Sequence, residues 1–320
     1  MCRCRLWSPP IHNSKCAVRP LRYFHRAREL HGPWLALLPA VSAGAQARRR
    51  AWRYSHIMNP EPDARQRTIS LPSDGHRGID RYSVALITGA ASFVDLLDEF
   101  RKIAKPLTGL TFITLDNLDQ CLYTSGHAIN RYGLDAGVAY PDNDSVEARE
   151  GYEAAVFAGS QMRLNDPESM VDFDELSGTL VTVEADIDAL VELNRNPGLL
   201  LGDVHVVQNV PVDSDSSLLA GIPNGYFEGD WTPFQNLAVT RRLVERHGYA
   251  PWGIGASTLG FVNAFDHPGH RDVSALIADL QNLYGHPESF AWQELAQILD
   301  ASSTLILGYA EDFAELVTDE

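Results

Sequence analysis

The stretch Gly225–Phe265, GYFEGDWTPFQNLAVTRRLVERHGYAPWGIGASTLGFVNAF, decides how the rest of the chain is read. Thr232 is placed to cap a helix, Pro233 suits the first helical position, and Gln235 follows three residues after the cap. That is a capping box, in which two side chains satisfy backbone N–H groups left open by the first turn. Such a cap stabilises a helix by about 1 kcal/mol. Phe234, Leu237, Ala238, Leu243 and Val244 form an apolar stripe. Arg246 and His247 suit the negative end of the helix dipole, and Gly248 suits a left-handed stop. A glycine-rich bend, Gly253–Ser257, and a strand over 258–262 are expected next. A phosphate-binding loop would follow a strand and open a helix. This one leads into a strand, so a plain bend is expected.

Outward from this stretch, helices are predicted from Ser92 to about Ala104, from Asp144 to about Phe157, from Asp186 to Asn196, and from Val273 to Tyr284. A further helix carries Phe290 to Leu299, and the acidic tail suggests a last short one. Strands are predicted at Tyr82–Thr88, Leu110–Leu115, Thr179–Glu184, Asp203–Val210 and Thr304–Leu307, with a short one at Cys121–Tyr123 in an otherwise loop-like span. The expected fold is α/β or α+β, a mixed sheet with flanking helices. Four parts are expected: a basic extension (1–57), a loose leader (58–81), an N-terminal α/β part (82–212) and a C-terminal α+β part (213–320) of helix–strand–helix–helix–strand order.

The net charge of −16 conceals two unlike regions. Residues 1–57 carry +10 and the remainder −26. The front segment also holds Cys2, Cys4 and Cys16 of the four cysteines. It is Arg-rich and acid-poor but neither as Ser-rich nor as amphipathic as a transit peptide, and its apolar run near Leu35 comes too late and contains Pro39, unlike a secretory signal. A mis-assigned start, with Met58 first, fits best. After Met58 only Cys121 remains, so neither a disulfide nor a cysteine metal cluster is expected there. No apolar run reaches about 18 residues, so no membrane span is expected, and a soluble cytoplasmic protein follows. The acidic body would repel nucleic-acid phosphates, leaving a basic protein as the expected partner.

Several motifs begin a chemistry and do not finish it. Val84–Ser92, VALITGAAS, opens like a short-chain dehydrogenase, but Phe93 and Asp95 stand where glycines should admit a pyrophosphate. The Tyr-x-x-x-Lys pair of that family is also missing, and no cofactor is expected. Asp213-Ser214-Asp215 resembles the nucleophile site of haloacid-dehalogenase-like phosphatases, yet no lysine follows Lys105. His267 and His270, flanked by Asp266 and Asp272, are candidate metal ligands without a recognised spacing. His127 reads as structural.

AVTRRLVERHGYAPWGIGASTLGF and ALIADLQNLYGHPESFAWQELAQILDASSTLILGYAED resemble, over Gly229–Asp312, the bacterial family named domain of unknown function 4253. That family's Gly-Trp-Asn-Cys-Pro lead-in is replaced here by Gly229–Pro233, and its Trp-Trp-Asp ending by Gly308–Asp312. The resemblance implies a bacterial setting and no mechanism. Two functions compete. One is an acidic binding protein, of immunity type or another interaction module, that covers a basic partner. The other is a metal-assisted hydrolase using Asp213, Asp215, Glu228 and Asp230.

Overall fold

A computed structural model describes residues 67–70, 82–143, 145–263, 272–311 and 313–318. The elements are β1 (Arg67–Ser70), β2 (Ser83–Thr88), α1 (Phe93–Ala104), β3 (Leu110–Thr114), α2 (Leu118–Arg131), α3 (Val146–Leu164), α4 (Glu184–Arg195) and β4 (Val204–Val210). There follow α5 (Pro233–His247), β5 (Tyr249–Ile254), β6 (Thr258–Asn263), α6 (Val273–Tyr284), α7 (Ala291–Ala301), β7 (Thr304–Gly308) and α8 (Glu315–Thr318). The fold is α/β: one seven-stranded mixed sheet in the order β1-β2-β4-β3-β5-β6-β7 with flanking helices. Every neighbouring pair is antiparallel except β3 and β5, which run parallel through Ile113↔Gly253 and Thr114↔Ile254.

That parallel pair joins the two halves expected from the sequence. β3 belongs to the 82–212 part and β5 to the 213–320 part, so the sheet passes straight through the expected boundary. All described residues fall in one compact unit, Ala47–Glu320.

Helices cover both faces because the strands present apolar groups on both. On β2, Ala85 and Ile87 join the main core, while Leu86 packs with Val204, Val206 and Leu118 of α2. The alternation follows from the two-residue period of a strand. Helix α1 buries Phe93, Leu96, Leu97 and Phe100, and the rings of Phe93 and Phe100 meet Trp252 of β5 at 5.6 and 6.2 Å.

The expected capping box is present. Gln235 N donates to Thr232 Oγ1 at 3.3 Å, Thr232 N donates to Gln235 Oε1 at 2.8 Å, and Gly248 closes α5 with φ +66°. Four local expectations need correction. Cys121–Tyr123 is helical, inside α2, whose buried positions Leu118, Cys121, Thr124, Ser125 and Ala128 have helical spacing but little apolar weight. Thr179–Glu184 forms no strand. Its Val181 and Val183 are 70% and 59% exposed, and β-branched residues favour strands only where a pleated surface receives them. β5 was hidden by Pro251, which sits where the β5–β6 register shifts, a position that tolerates a missing N–H. The C-terminal part therefore contains a hairpin, helix–strand–strand–helix–helix–strand. Finally, Arg67–Ser70, within the expected loose leader, adds an edge strand to β2.

Candidate functional site

The chain's glycine-rich bend does hold an anion, and the anion is Asp116. This residue lies two positions past the end of β3, with φ +40°, and is buried. Its Oδ1 accepts from the backbone N–H of Asn117 and of Ala256, both at 2.6 Å. Its Oδ2 accepts from Thr258 Oγ1 at 2.7 Å and Ser257 N at 3.3 Å. The amides that would face a phosphate thus clamp the β5–β6 turn to β3. Gly255 allows this approach, since a Cβ there would come within 2.0 Å of Asp116 Oδ2. Burial pushes the Asp116 carboxyl above its ordinary value, and the four donors pull it part of the way back.

The polar groups around the clamp are equally committed. Asn224 Nδ2 reaches Gly255 O at 3.1 Å and Cys121 O at 3.3 Å. The Tyr309 hydroxyl lies 2.7 Å from both Gly255 O and Ala256 O. Burial, reinforced by nearby Asp116, holds the Cys121 thiol well above its usual range, so it is a neutral, inert group. Burial likewise raises the Tyr309 phenol. His205 on β4 has Nδ1 2.7 Å from Thr114 O, so that nitrogen donates, and Nε2 accepts from Gly202 N at 3.2 Å. Burial lowers its pKa and keeps it neutral.

This polar layer shapes the surface above it, because α2 and the 224–231 loop each carry an inward anchor and outward rings. The loop is fixed at several points. Asn236 Nδ2 donates to Asn224 O at 3.0 Å, and Trp231 N donates to Tyr309 O at 2.9 Å. Asp230 accepts from Phe227 N at 3.2 Å and from Glu311 N at 3.3 Å. Gly225 takes φ +108°, where a Cβ would strike Trp231 O at 1.9 Å. On the outer side four rings form a ladder: Tyr123 to His127 at 4.4 Å, His127 to Tyr226 at 4.9 Å, and Tyr226 to Phe227 at 5.2 Å. Arg131 donates to Tyr226 O at 2.9 Å, with its guanidinium 5.8 Å from the Tyr226 ring centre. Tyr123 and Phe227, the ends of the ladder, are 50% and 46% exposed. Partial burial lowers the His127 pKa.

Electrostatically, the cations are largely spent on internal partners. Arg101 pairs with Asp98, Lys102 with Glu99, Arg163 with Asp166, and Arg195 with both Glu192 and Glu294. Arg242, Arg246 and His247 converge on Asp279, at 2.7, 3.5 and 2.8 Å. Burial raises the Asp279 pKa, but hydrogen bonds from Arg242 and His247 outweigh it and the net direction is down. Glu168, Asp172, Asp174 and Glu175 are exposed on the segment between α3 and α4, which is rooted by buried Phe173 and Leu176. Arg242 also stacks 4.7 Å from the Phe173 ring centre.

The residues singled out from the sequence fall in different settings. Asp213 is exposed after β4, and Asp215 opens the 3-10 turn Asp215–Ala220. Glu228 is exposed on the pinned loop, beside the ladder, while Asp230 is buried and spends both oxygens on backbone amides. His267 and His270 lie outside the described residues. Among the described residues no group of three or more His, Cys, Asp and Glu side chains could hold a metal ion, and no helix is long and apolar enough to cross a membrane. Sequence reasoning missed the ladder. Its signal was present in Tyr123, His127 and Arg131, spaced four apart, which share one face only once the segment is known to be helical. No family model, no curated protein and no solved structure matches the chain.

Proposed function

We propose that this chain is a binding protein, an acidic interaction module of immunity type that engages a basic partner in the cytoplasm. The observation that carries this reading is the pattern of ion pairing. Arg101, Lys102, Arg163, Arg195, Arg242 and Arg246 are each held by a carboxylate of the same chain, while Glu168, Asp172, Asp174 and Glu175 face solvent on a rooted segment. The sequence after residue 57 carries a formal −26, and these four exposed carboxylates are part of that excess. Such a field chiefly speeds encounter with an oppositely charged partner, and salt weakens it. The resemblance of residues 229–312 to the domain of unknown function 4253 family belongs to the same reading and names no partner.

The test is capture from native lysate by the full chain, at low salt and at about 0.5 M, where screening shortens to a few ångströms. A single basic protein retained at low salt, released at high salt and lost to the variant Glu168→Lys/Asp174→Lys/Glu175→Lys is the expected result. Retention of partners indifferent to both salt and charge reversal sinks the reading.

A further inference from the structure

We infer that the aromatic ladder of α2 and the 224–231 loop is the surface on which that partner docks, and that it receives an arginine or lysine side chain at the Phe227 end. This inference rests on the binding reading above and adds its location and chemistry.

Three observations meet here. The first is exposure without slack. Phe227 and Tyr123 are about half exposed, yet the loop beneath Phe227 is held by the Asn224, Asp230 and Asn236 side chains and by the Trp231–Tyr309 backbone bond. Rings presented on a pre-ordered backbone lose little entropy when a partner covers them. Tyr and Arg are also the residue types that dominate interface energetics.

The second observation is charge at one end of the ladder. Glu228 follows Phe227 directly and is exposed. The Glu311 carboxylate lies over Gly229, where an added Cβ would come within 2.2 Å of Glu311 Oε2. Carboxylates on and over the same loop as the exposed ring suit a cation, because the ring quadrupole and the formal charges both attract it.

The third is that the molecule already makes this kind of contact. Arg131 lies 5.7 Å from the Tyr132 ring centre and 5.8 Å from that of Tyr226. Arg131 thereby serves the middle of the ladder, leaving the Phe227 ring for an incoming cation. The charge of the body selects a basic partner, and the ladder gives that partner a place to anchor.

The experiment uses the full chain and a fluorescein-labelled octa-arginine peptide, with affinity read by anisotropy at low salt and at about 0.5 M. The variants are Phe227→Leu, Tyr123→Leu and the pair together, which keep apolar bulk and remove the π face. The control is Glu168→Gln/Asp174→Asn, which lowers charge on the segment between α3 and α4 and leaves the ladder residues unchanged. The expected result is a loss of about tenfold in affinity for the pair, persisting at high salt, which is the scale of a cation–π contact. The control should lose affinity at low salt and match the parent at high salt. Peptide binding that survives in the aromatic pair, with unchanged affinity at both salts, overturns the ladder and leaves the acidic-module reading standing. Absence of peptide binding to the parent overturns that underlying reading instead. A dimer in sedimentation that Phe227→Leu dissolves overturns the basic-partner assignment in favour of a second copy of this chain.

Discussion

Asp116 and Asp279 are both buried carboxylates, and the chain solves the cost of each in an opposite way. Asp116 is held by neutral donors alone: three backbone amides and one hydroxyl. Asp279 is held by two guanidiniums and an imidazole. Burial therefore wins at Asp116, whose pKa rises, whereas hydrogen bonds and charge win at Asp279, whose pKa falls. The first arrangement shapes a turn and needs no counter-ion. The second ties α5 to α6 and consumes positive charge that would otherwise offset the acidic surface.

The largest way to break the comparison is Asp116→Ala. It strands the amides of Ala256 and Ser257 inside the protein, and unfolding in urea should show a loss of about 3–5 kcal/mol. An unchanged midpoint would mean the clamp is incidental. Next comes Gly255→Ala, which leaves every donor in place but drives a methyl into the carboxylate, so a loss of about 2–3 kcal/mol is expected by the same measurement. Asp279→Ala should cost less, about 2 kcal/mol, because Arg242 and Arg246 are 26% and 49% exposed and can recover water. Last in size, Tyr123→Leu and Phe227→Leu should stay within about 0.5 kcal/mol of the parent, since the rings are half exposed. A substantial loss there would assign the ladder to the core.

The pH dependence sharpens the contrast further. Asp279 has a folded pKa below its unfolded value of about 4, so its contribution is present above that value and is lost as pH falls through the lower folded one. Asp116 has a raised folded pKa, so its contribution grows as pH falls from that value toward about 4. Urea midpoints measured across pH should therefore lose part of the acid limb in Asp279→Asn. In Asp116→Asn the slope above pH 4 should change instead. Equal profiles for the two variants would erase the distinction between them.

Legibility from the sequence followed the range of the interactions. The α5 cap was readable because Thr232, Gln235 and Gly248 carry their own geometry within the helix they bound. The interior strand β4 was readable because Val204, Val206, Val207 and Val210 have little choice but burial. Helix α2 was not, because its inward face is made of Cys, Thr, Ser and Ala, whose periodicity has no apolar contrast. With α2 unread, Tyr123, His127 and Arg131 could not be seen as one face, and the ladder disappeared with them.

What the sequence determined by itself was the order of most elements, the capped helix at its centre and the charge division near residue 57. It also showed that several familiar motifs stop short. What only the tertiary structure decided was which groups those motifs serve. Ser257 meets Asp116 across 141 residues, and Tyr226 stacks on His127 from another element. Local propensity acts over a turn or two of chain and leaves a mark in residue spacing. A contact closed by the folding of a whole sheet depends on register and packing between distant segments, which no window along the chain contains.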